Sequence, residues 1–515
     1  MTAILSASPM TRCRRSICVK AIAPASGDTK DRKMNFINGE WRDGSGAEIK
    51  SHNPADDSIV WSGKAAGPGD VDAAFAAARA AFSGWGRRPL GERIAIVERF
   101  KSELEARKAD LAELISRETG KPRWEGLGEV GAMIGKIDIS VKAYAERTSG
   151  HESETAFGYA RLAHKPLGVM FVLGPYNFPG HLPNGHIVPA LIAGNVIVFK
   201  PSEITPGVGE AMMKAWEAAG LPAGVMNLVQ GARETGAAAL DNAQLDGVLF
   251  TGSWGTGKFI HEKFAGRTGI QLALEMGGNN PLVVWGAQDA EAAARIAVNS
   301  AYITAGQRCS CARRLILPEG EFGEAVIAEI IRIAGQLTID RWDAAEEPFI
   351  GPLVSATAAQ GVLDAQTDLV RRGARPLLEA ARVSGLGDAF LRPGLLDVTG
   401  VEVPDEEVFG PLIQVVRVAS FDEAIAAAND TAYGLSSGLV SDDEALWDRF
   451  WIESRAGIVN WNRPTCGAAS NMPFGGPGQS GNLRPSAYYA ADYCAYPVAT
   501  QAARSPERMA VRGVD

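Results

Sequence analysis

Short apolar runs alternate with helical stretches through the middle of this 515-residue chain, and no other feature constrains the fold as strongly. The runs lie at 167–175, 194–203, 224–231, 246–253 and 273–284. Such runs are typical of buried strands, and buried strands separated by helices form a parallel sheet covered by helices. The sequence therefore predicts an α/β fold built on a parallel sheet.

A polar, glycine-rich stretch follows several of these runs, as in "GPYNFP", "KPSE", "FTGSWGTG" and "EMGGNN". Ligands bind at the carboxyl ends of the strands in open α/β sheets, so we expect a binding site here. The segment Gly252–Gly257 does not follow the G-x-G-x-x-G order of the dinucleotide fingerprint. It does lie between a strand and a helix, where free backbone N–H groups can hold a pyrophosphate, although a glycine-rich turn is the alternative.

Helical patterns flank this region. Apolar residues at 71, 75, 78 and 82 predict an amphipathic helix, and a second helix is predicted over 92–121, ending before a proline. From 290 to about 470, helical stretches again alternate with strands. A single hydrophobic core stops growing near roughly 250–300 residues, so this half is expected to form a second α/β domain.

Charge and cysteine content argue against several classes of protein. The chain carries 51 basic and 60 acidic residues, a net charge of −9, which provides no basic footprint for nucleic acid or an anionic membrane. No apolar run approaches the roughly 18 residues of a membrane helix. Six cysteines are too few in so long a chain for a disulfide framework, which indicates a reducing compartment, the cytoplasm.

The first 33 residues are basic, with no acidic residue before Asp28. We interpret 1–33 as a disordered N-terminal extension, because the patterns typical of structure begin at Met34. An organelle transit peptide is the alternative that this composition allows.

Cys309 and Cys311 lie one residue apart in "GQRCSCARR". No other Cys or His lies nearby in sequence to complete a metal site, and a disulfide across so short a loop would be strained. If the segment begins a helix, the two side chains point apart, so only one thiol can face a given pocket. A helix N-terminus beside Arg308 and Arg313 would lower the pKa of a thiol. These arguments predict one reactive thiol without choosing between the two.

Two further side chains have the chemistry of an acyl-transfer site. Glu275 in "LEMGG" ends an apolar strand, and an unpaired buried carboxylate has a raised pKa, which suits a general base. The amide of Asn177 in "GPYNFP" can donate to an oxyanion, although a structural role in a turn is the alternative. A thiol, an amide donor and a carboxylate together indicate acyl-enzyme chemistry on a carbonyl carbon.

Eight short motifs occur in the order found in the aldehyde dehydrogenase family, which the chain resembles from about Met34 onward. They are "PYNFP", "KPSE", "GLPAGVMNLVQG", "FTGS", "LEMGG", "GQRC", "EEVFGP" and "PFGGPGQSG". The resemblance implies a Rossmann-type NAD-binding domain, a catalytic α/β domain and a small β oligomerisation arm, in a homodimer or homotetramer. By position these units would comprise 34–143 with 167–276, then 277–477, then 144–166 with 478–515.

The resemblance also implies roles for individual residues. Cys309 would be the nucleophile, Asn177 and the Cys309 N–H would bind the oxyanion, and Glu275 would activate water to hydrolyse a thioester rather than leave it for coenzyme A. The implied cofactor is NAD, since the carboxylate of Glu203 repels the 2′-phosphate of NADP, and no metal is expected. The residues implied to bind NAD are Lys200, Ser202, Glu203, Gly231, Phe250, Gly252, Ser253, Gly257, Gly277, Glu407 and Phe409.

Three stretches resemble the family members that act on N-succinylglutamate 5-semialdehyde in arginine breakdown. The stretches are 177–191, 306–314 and 481–500. That substrate is large and carries two carboxylates. Gly180, Pro183 and Gly185 stand where many relatives have bulky side chains, which implies a wide substrate tunnel. The residues expected to line the tunnel or to anchor carboxylates are Arg484, Arg463, Arg308, His181 and Ser310.

Two alternatives to this function remain open from the sequence. One is an NAD-dependent dehydrogenase of another bulky or acidic semialdehyde. The other is a catalytically idle NAD-binding structural protein. His181 and His186 are not expected to bind a metal, because Pro183 between them should break the helical spacing.

Overall fold

The computed structural model describes residues 33–506 and 508–514, so the predicted N-terminal extension lies outside the described residues except for its last position. The helices are α1 Pro68–Arg87, α2 Leu90–Ala106, α3 Lys108–Thr119, α4 Arg123–Arg147, α5 His181–Ala193, α6 Pro206–Ala218, α7 Arg233–Asp241, α8 Trp254–Phe264, α9 Ala290–Tyr302, α10 Glu321–Ala334, α11 Ala356–Arg371, α12 Phe421–Asn429, α13 Glu444–Glu453 and α14 Ala490–Tyr493. The strands are β1 Asn35–Ile37, β2 Glu40–Arg42, β3 Glu48–His52, β4 Ile59–Lys64, β5 His151–Thr155, β6 Gly158–Pro166, β7 Val169–Leu173, β8 Val196–Lys200, β9 Met226–Leu228, β10 Gly247–Thr251, β11 Gln271–Glu275, β12 Asn280–Val284, β13 Ala312–Pro318, β14 Arg375–Leu378, β15 Ala381–Arg382, β16 Leu391–Arg392, β17 Gly394–Asp397, β18 Leu412–Val418, β19 Ser436–Val440, β20 Ile458–Trp461, β21 Pro473–Phe474, β22 Ser486–Ala487 and β23 Ala495–Ala502.

The first sheet has the strand order β11-β10-β7-β8-β9-β1-β2. Strands β7 to β11 pair in parallel with their neighbours, and the short antiparallel strands β1 and β2 extend the edge beside β9. Residues 169–172 of β7 are fully buried, and helices α1, α5 and α7 pack against the sheet. This arrangement confirms the parallel sheet predicted from the apolar runs.

The second sheet has the strand order β14-β17-β18-β13-β12-β19-β20. Its pairs are parallel, except that β14 runs antiparallel to β17. Helices and strands alternate in this part of the chain, as in α12 followed by β19. The predicted second α/β unit is therefore confirmed.

The apolar run at 273–284 belongs to two strands, and the first of them ends at Glu275 as predicted. β11 ends at Glu275 in the first sheet and β12 begins at Asn280 in the second sheet, so the chain crosses between the sheets over 276–279. A Cβ on Gly277 in this crossing would lie 1.8 Å from Glu407 Oε2, so any larger residue there would displace that carboxylate. Pattern alone does not show which sheet a short buried strand joins.

The first predicted helix is confirmed as part of α1, but the single helix predicted over 92–121 is wrong. α2 and α3 separate at Arg107, whose φ of −102° and ψ of 9° leave helical geometry. Gly120 then ends α3 in the left-handed region, with φ +79°. α2 packs against α4, α5 and α6, whereas α3 packs mainly against α4. The break lets each segment bury its own apolar face.

A separate antiparallel sheet has the order β23-β6-β5. β23 pairs with β6 along its whole length, from Ala495 opposite Pro166 to Ala502 opposite Tyr159. Both strands lie in segments that the resemblance assigns to the oligomerisation arm, and they form this sheet within one chain. Every residue of the outer strand β5 is exposed.

Two helices of the first domain, α4 and α5, pack closely against one another. A Cβ on Gly180 would lie 2.5 Å from Met133 Sδ, so the glycine allows this close approach. Glu129 Oε1 accepts hydrogen bonds from the backbone N–H groups of Gly180 and His181, at 2.9 and 3.1 Å. The carboxylate of α4 therefore satisfies the first free donors of α5.

Pro183 lies within the first turn of α5, so the expectation that it breaks the helical spacing is wrong. A proline is tolerated there because the N–H it lacks has no partner within the helix. Within the described ranges, no helix has both the length and the apolar character needed to cross a membrane.

Candidate active site

A cavity of about 340 Å³ lies between α4, α5 and the loop that carries Cys309, and we call it the Cys309 cavity. One stripe of α4 lines it, because residues three or four apart share a helix face. This stripe consists of Glu125, Gly128, Glu129, Ala132 and Lys136. The facing stripe of α5 consists of His181, Leu182, Gly185 and His186. Cys309, Ser310, Glu275 and Arg308 also line the cavity.

The loop bearing Cys309 is a turn between a short 3₁₀ helix at Ile303–Gly306 and β13. The suggestion that this segment begins a helix is therefore wrong. Thr304, Ala305 and Gly306 all have positive φ, of 57°, 51° and 71°, so the chain turns sharply just before the cysteine. This turn directs the following residues toward the cavity.

Two side-chain amides hold the loop in place through hydrogen bonds. Asn280 Nδ2 donates to the carbonyl oxygens of Cys309 and Cys311, at 2.7 and 2.8 Å. Asn177 Nδ2 donates to the Gln307 carbonyl at 3.0 Å. Both ends of the short segment that holds the thiol are thus tied to polar side chains from other elements.

The two cysteines have different surroundings. Cys309 is half-buried and lines the cavity, whereas Cys311 is fully buried and accepts a hydrogen bond from the Cys466 thiol at 3.6 Å. Burial raises the pKa of Cys311, but the bond from Cys466 and the charges of Arg313 and Arg308 lower it to about 7. An acidic thiol without access to the cavity cannot attack a substrate there, so position favours Cys309 as the nucleophile.

The thiol of Cys309 is less acidic than the helix-based argument suggested. Its enclosed position raises its pKa to about 12, and the nearby carboxylates of Glu407 and Glu275 act in the same direction. The positive charge of Arg313 opposes this shift without reversing it. The expected lowered pKa is therefore wrong in this structure, because no helix N-terminus is present to stabilise the thiolate.

Glu275 ends β11 and reaches the same cavity. Its Oε1 accepts from the Ser486 N–H at 3.1 Å, and a Cβ on Gly475 would lie 2.9 Å from this oxygen. Its Oε2 is buried and has no hydrogen-bond partner among the described residues. Burial raises the pKa of Glu275 well above its ordinary value. A free oxygen with high proton affinity is what a general base requires.

The carboxyl end of β8 brings together several residues predicted to bind the cofactor. Lys200 Nζ donates to the carbonyl oxygens of Gly231 and Pro201, at 2.6 and 3.0 Å. It also lies 3.5 Å from Glu203 Oε2, and the Glu203 side chain is 49% exposed. Ser202 lies between the two charged residues in the chain and is buried.

Helix α8 begins shortly after β10, which is separated from β8 in the sheet by β7. Ser253 is its N-cap and accepts from the Thr256 N–H. A Cβ on Gly252 would overlap the ring of Phe250, and one on Gly257 would overlap Met276. The two glycines therefore let the helix start lie close to the sheet, with its first N–H groups available to an anion.

The loop before β18 crosses from the second domain to this region. Glu407 lies 3.4 Å from Arg313 Nη2 and against Gly277, and burial raises its pKa. The ring of Phe409 packs edge-on against Tyr176, with 6.1 Å between centroids. The two predicted cofactor residues of this loop thus lie between the sheets.

Of the residues predicted to bind substrate, the structure brings Arg308, His181 and Ser310 to the Cys309 cavity. Arg463 and Arg484 are exposed and do not line it.

Of the three small residues expected to widen the tunnel, only Gly185 lines the cavity. A Cβ there would meet open space. Gly180 instead serves the packing of α5 on α4, and Pro183 packs beside Gly174.

Neither histidine of α5 carries a charge at neutral pH. Burial and the charge of Lys136 lower the pKa of both His181 and His186 to about 3. His186 Nδ1 lies 2.8 Å from the Tyr493 hydroxyl and its Nε2 lies 3.1 Å from Thr251 Oγ1. No group of His, Cys, Asp or Glu in the described part of the chain could hold a metal ion.

Sequence reasoning missed the contribution of α4. The spacing of Glu125, Glu129, Ala132 and Lys136 marks one helix face, but this face reads as an ordinary polar surface until α5 is seen packed beside it. It also missed Asn280, because its partners are backbone atoms 29 and 31 residues away in the sequence.

The sequence matches the model of the aldehyde dehydrogenase family over residues 41–497, and the chain belongs to that family. It is 58% identical over 466 residues to N-succinylglutamate 5-semialdehyde dehydrogenase 2 of Caulobacter vibrioides, covering 90% of this chain and 95% of that protein. It is 55% identical over 465 residues to N-succinylglutamate 5-semialdehyde dehydrogenase of Chromobacterium violaceum, covering 90% and 96%. Among solved structures, 1-pyrroline-5-carboxylate dehydrogenase from Thermus with bound NAD is 30% identical, with a TM-score of 0.85 over 91% of this chain and 92% of that one.

Proposed function

We propose that this protein oxidises N-succinylglutamate 5-semialdehyde to N-succinylglutamate with NAD. The names of the relatives at 55% and 58% identity, which match along 90% of the chain, support this substrate. The observation that carries the reaction is that Cys309 and Glu275 line one cavity, in which Oε2 of Glu275 is left without a partner among the described residues. A volume of about 340 Å³ falls in the range of roughly 300–1,000 Å³ that small-molecule sites occupy.

The first chemical step is attack of the Cys309 thiolate on the aldehyde carbon. A C–S bond forms and the carbonyl oxygen becomes an oxyanion. Asn177 Nδ2, which already donates to the loop at Gln307, has a second N–H that can donate to this oxygen together with the Cys309 N–H. Loss of a hydride from the same carbon leaves a thioester on Cys309.

The second step releases the acid. Glu275 Oε2 takes a proton from water while the water oxygen attacks the thioester carbon. The C–S bond then breaks, which releases the acid and regenerates the Cys309 thiolate, and Glu275 returns its proton to solvent. This role requires a carboxylate whose pKa is raised by burial, as that of Glu275 is.

The residues at the carboxyl ends of β8 and β10 fit NAD. The free N–H groups at the start of α8 suit a pyrophosphate, while Lys200 and the exposed carboxylate of Glu203 suit ribose hydroxyls. Glu407 and Phe409, placed between the two sheets, would hold the nicotinamide end. NAD, when bound, supplies the acceptor for the hydride.

We also propose that the chain is divided into three units. Residues 34–143 and 167–276 would form the NAD-binding domain, 277–477 the catalytic domain, and 144–166 with 478–515 the oligomerisation arm. The exposed outer strand β5 supports a role for the arm in a homodimer or homotetramer. We place the enzyme in the cytoplasm, as its low cysteine content indicates.

The test is a rate assay of NADH formation with the purified protein over a panel of aldehydes. We expect kcat/KM for N-succinylglutamate 5-semialdehyde to exceed that for short aliphatic aldehydes such as hexanal by at least about 100-fold. Equal or greater values for the aliphatic aldehydes would overturn the substrate. No NADH with any aldehyde would favour the idle NAD-binding protein instead.

A further inference from the structure

Lys136 is a buried lysine of α4 that lines the Cys309 cavity. Its residue is only 3% exposed, and its side chain reaches the same cavity as Cys309 and Glu275. Among the described residues, no hydrogen bond or ion pair of its ammonium group is found. A charged group in this position is costly unless a partner of opposite charge compensates it.

The other cations of this region are already paired. Lys121 Nζ lies 2.8 Å from Glu129 Oε2, with both side chains buried. Arg308 lies 3.6 Å from Glu125 Oε2, and its Nε donates to Thr304 Oγ1 at 2.7 Å. The two pairs use one carboxylate for each cation, so Lys136 contributes a positive charge to the cavity that neither Glu125 nor Glu129 neutralises.

The remaining acidic and basic groups near the cavity do not supply a partner either. Glu275 is bonded through Oε1 to the Ser486 N–H, and burial raises its pKa, which disfavours its charged form. His181 and His186 face Lys136 from α5, and the charge of Lys136 helps to keep both of them neutral. The cavity therefore offers one unmatched ammonium group beside neutral imidazoles.

Lys136, His186, Thr251 and Glu275 all line the Cys309 cavity. His186 Nε2 lies 3.1 Å from Thr251 Oγ1, and Thr251 is paired in register with Glu275 across β10 and β11. A substrate whose aldehyde carbon reaches Cys309 therefore occupies a cavity that Lys136 also lines.

We propose that Lys136 Nζ binds a carboxylate of the substrate and makes the enzyme prefer an acidic aldehyde over a neutral one. This inference rests on the proposed function and names a specificity-determining residue for it. It also differs from the sequence-based prediction, which assigned the carboxylates to arginines. Two of those arginines, Arg463 and Arg484, are exposed outside the cavity.

The quantity to measure is the ratio of kcat/KM for N-succinylglutamate 5-semialdehyde to kcat/KM for hexanal. Dividing by kcat/KM for a neutral aldehyde cancels any effect of a substitution on the reactivity of Cys309 or on the binding of NAD. We expect Lys136→Met to lower this ratio about 10- to 100-fold, the effect of losing one charge-assisted bond, and Lys136→Arg to keep most of it. Lys142→Met, on the same helix but 68% exposed, is the matched control and should leave the ratio unchanged.

A third substrate, N-acetylglutamate 5-semialdehyde, identifies the carboxylate, because it keeps the α-carboxylate and lacks the succinyl one. If Lys136→Met lowers kcat/KM for both acids relative to hexanal, Lys136 binds the α-carboxylate. If only the succinylated substrate is affected, Lys136 binds the succinyl carboxylate. Either result supports the inference.

A second measurement needs no variant. Burial lowers the pKa of Lys136 to about 8, so the ammonium form is present below this pH and lost above it. His181 and His186 on α5, with pKa values of about 3, do not titrate here. Tyr493 of α14, bonded to His186, has a pKa raised above 10 and also stays neutral. The acid-to-hexanal ratio should fall between pH 7 and 9 in the wild type and stay flat in Lys136→Met.

The outcomes separate this inference from the proposed function. If the wild type does not prefer the succinylated semialdehyde over hexanal, the proposed function fails whatever the variants do. If the wild type has the preference and Lys136→Met keeps it at all pH values, only the role of Lys136 is overturned. If Arg484→Ala loses the preference for the acidic aldehyde and Lys136→Met keeps it, Arg484 rather than Lys136 binds the substrate carboxylate. Should Lys136→Met fail to fold, Lys136→Gln takes its place.

Discussion

Glu125 on α4 accepts two hydrogen bonds from Thr304, the residue that begins the left-handed turn before Cys309. The backbone N–H donates to Oε1 at 3.1 Å and the hydroxyl donates to Oε2 at 2.6 Å. Thr304 has φ +57°, an uncommon conformation for a β-branched residue. One carboxylate of the first domain thus holds the strained turn that positions Cys309 in the second.

Glu125→Ala should therefore impair both stability and turnover. It leaves the Thr304 N–H and the Arg308 guanidinium without their acceptor in a buried place, which we expect to lower the free energy of unfolding by about 1–3 kcal/mol. Denaturant unfolding and the rate of NADH formation measure the two effects. The exposed Glu105 of α2 supplies the control Glu105→Ala. Normal kcat in Glu125→Ala would show that the turn holds its shape without this carboxylate.

The two cysteines of "GQRCSCARR" should respond differently to substitution. Cys309→Ala removes the thiol that we propose attacks the aldehyde and should lower kcat by at least about 1,000-fold. Cys311→Ala removes a buried thiol that accepts from Cys466 and should retain activity within about fivefold. Steady-state NADH formation measures both. Equal losses would contradict a single nucleophile at Cys309.

Alkylation of Cys309 should accelerate with pH without reaching a plateau in the accessible range. Its pKa is raised to about 12, so the thiolate fraction grows about tenfold per pH unit between pH 6 and 9. The experiment follows iodoacetamide labelling by tandem mass spectrometry, which distinguishes Cys309 from Cys311. A plateau near pH 7 at Cys309 would mean that the free enzyme already stabilises the thiolate.

Glu275→Gln should separate the two halves of the reaction. Thioester formation does not need the general base, so a burst of NADH close to one per active site should remain. The steady rate that follows should be about 100-fold or more below that of the wild type, because water is no longer deprotonated. Rapid-mixing absorbance at the NADH band resolves the two phases. Loss of burst and steady rate in equal proportion would argue against this role.

Replacing Glu203 should weaken the preference for NAD. Its side chain is 49% exposed beside Lys200, so Glu203→Gln removes the charge that repels a 2′-phosphate. We expect the NAD-to-NADP ratio of kcat/KM to fall about tenfold. Glu262→Gln, on the exposed face of α8, is the control. An unchanged ratio in Glu203→Gln would assign cofactor choice to other residues.

The sequence predicted where the residues of this site lie better than it predicted their pKa values. Glu275, Asn177 and Cys309 stand at the ends of elements that local patterns reveal, and their positions follow once two parallel sheets are recognised. The pKa of Cys309 was predicted in the wrong direction, because that prediction depended on a helix at 306–314. Whether a segment becomes a helix or a turn depends there on Glu125 and Asn280, which come from other elements.

By itself, the amino-acid sequence determined the α/β class, the parallel strands and the family, and it predicted the three groups that we propose act on the carbonyl carbon. These features follow from residue type and short-range spacing, which pattern reasoning captures. Only the tertiary structure showed that Cys311 is buried outside the cavity lining, where α2 ends, and that Lys136 has no partner among the described residues. The role proposed for Lys136 rests on its place in the cavity beside α5 and on the pairing of Glu129 and Glu125 with other cations. Access and charge pairing depend on contacts between distant parts of the chain, and no local pattern encodes them.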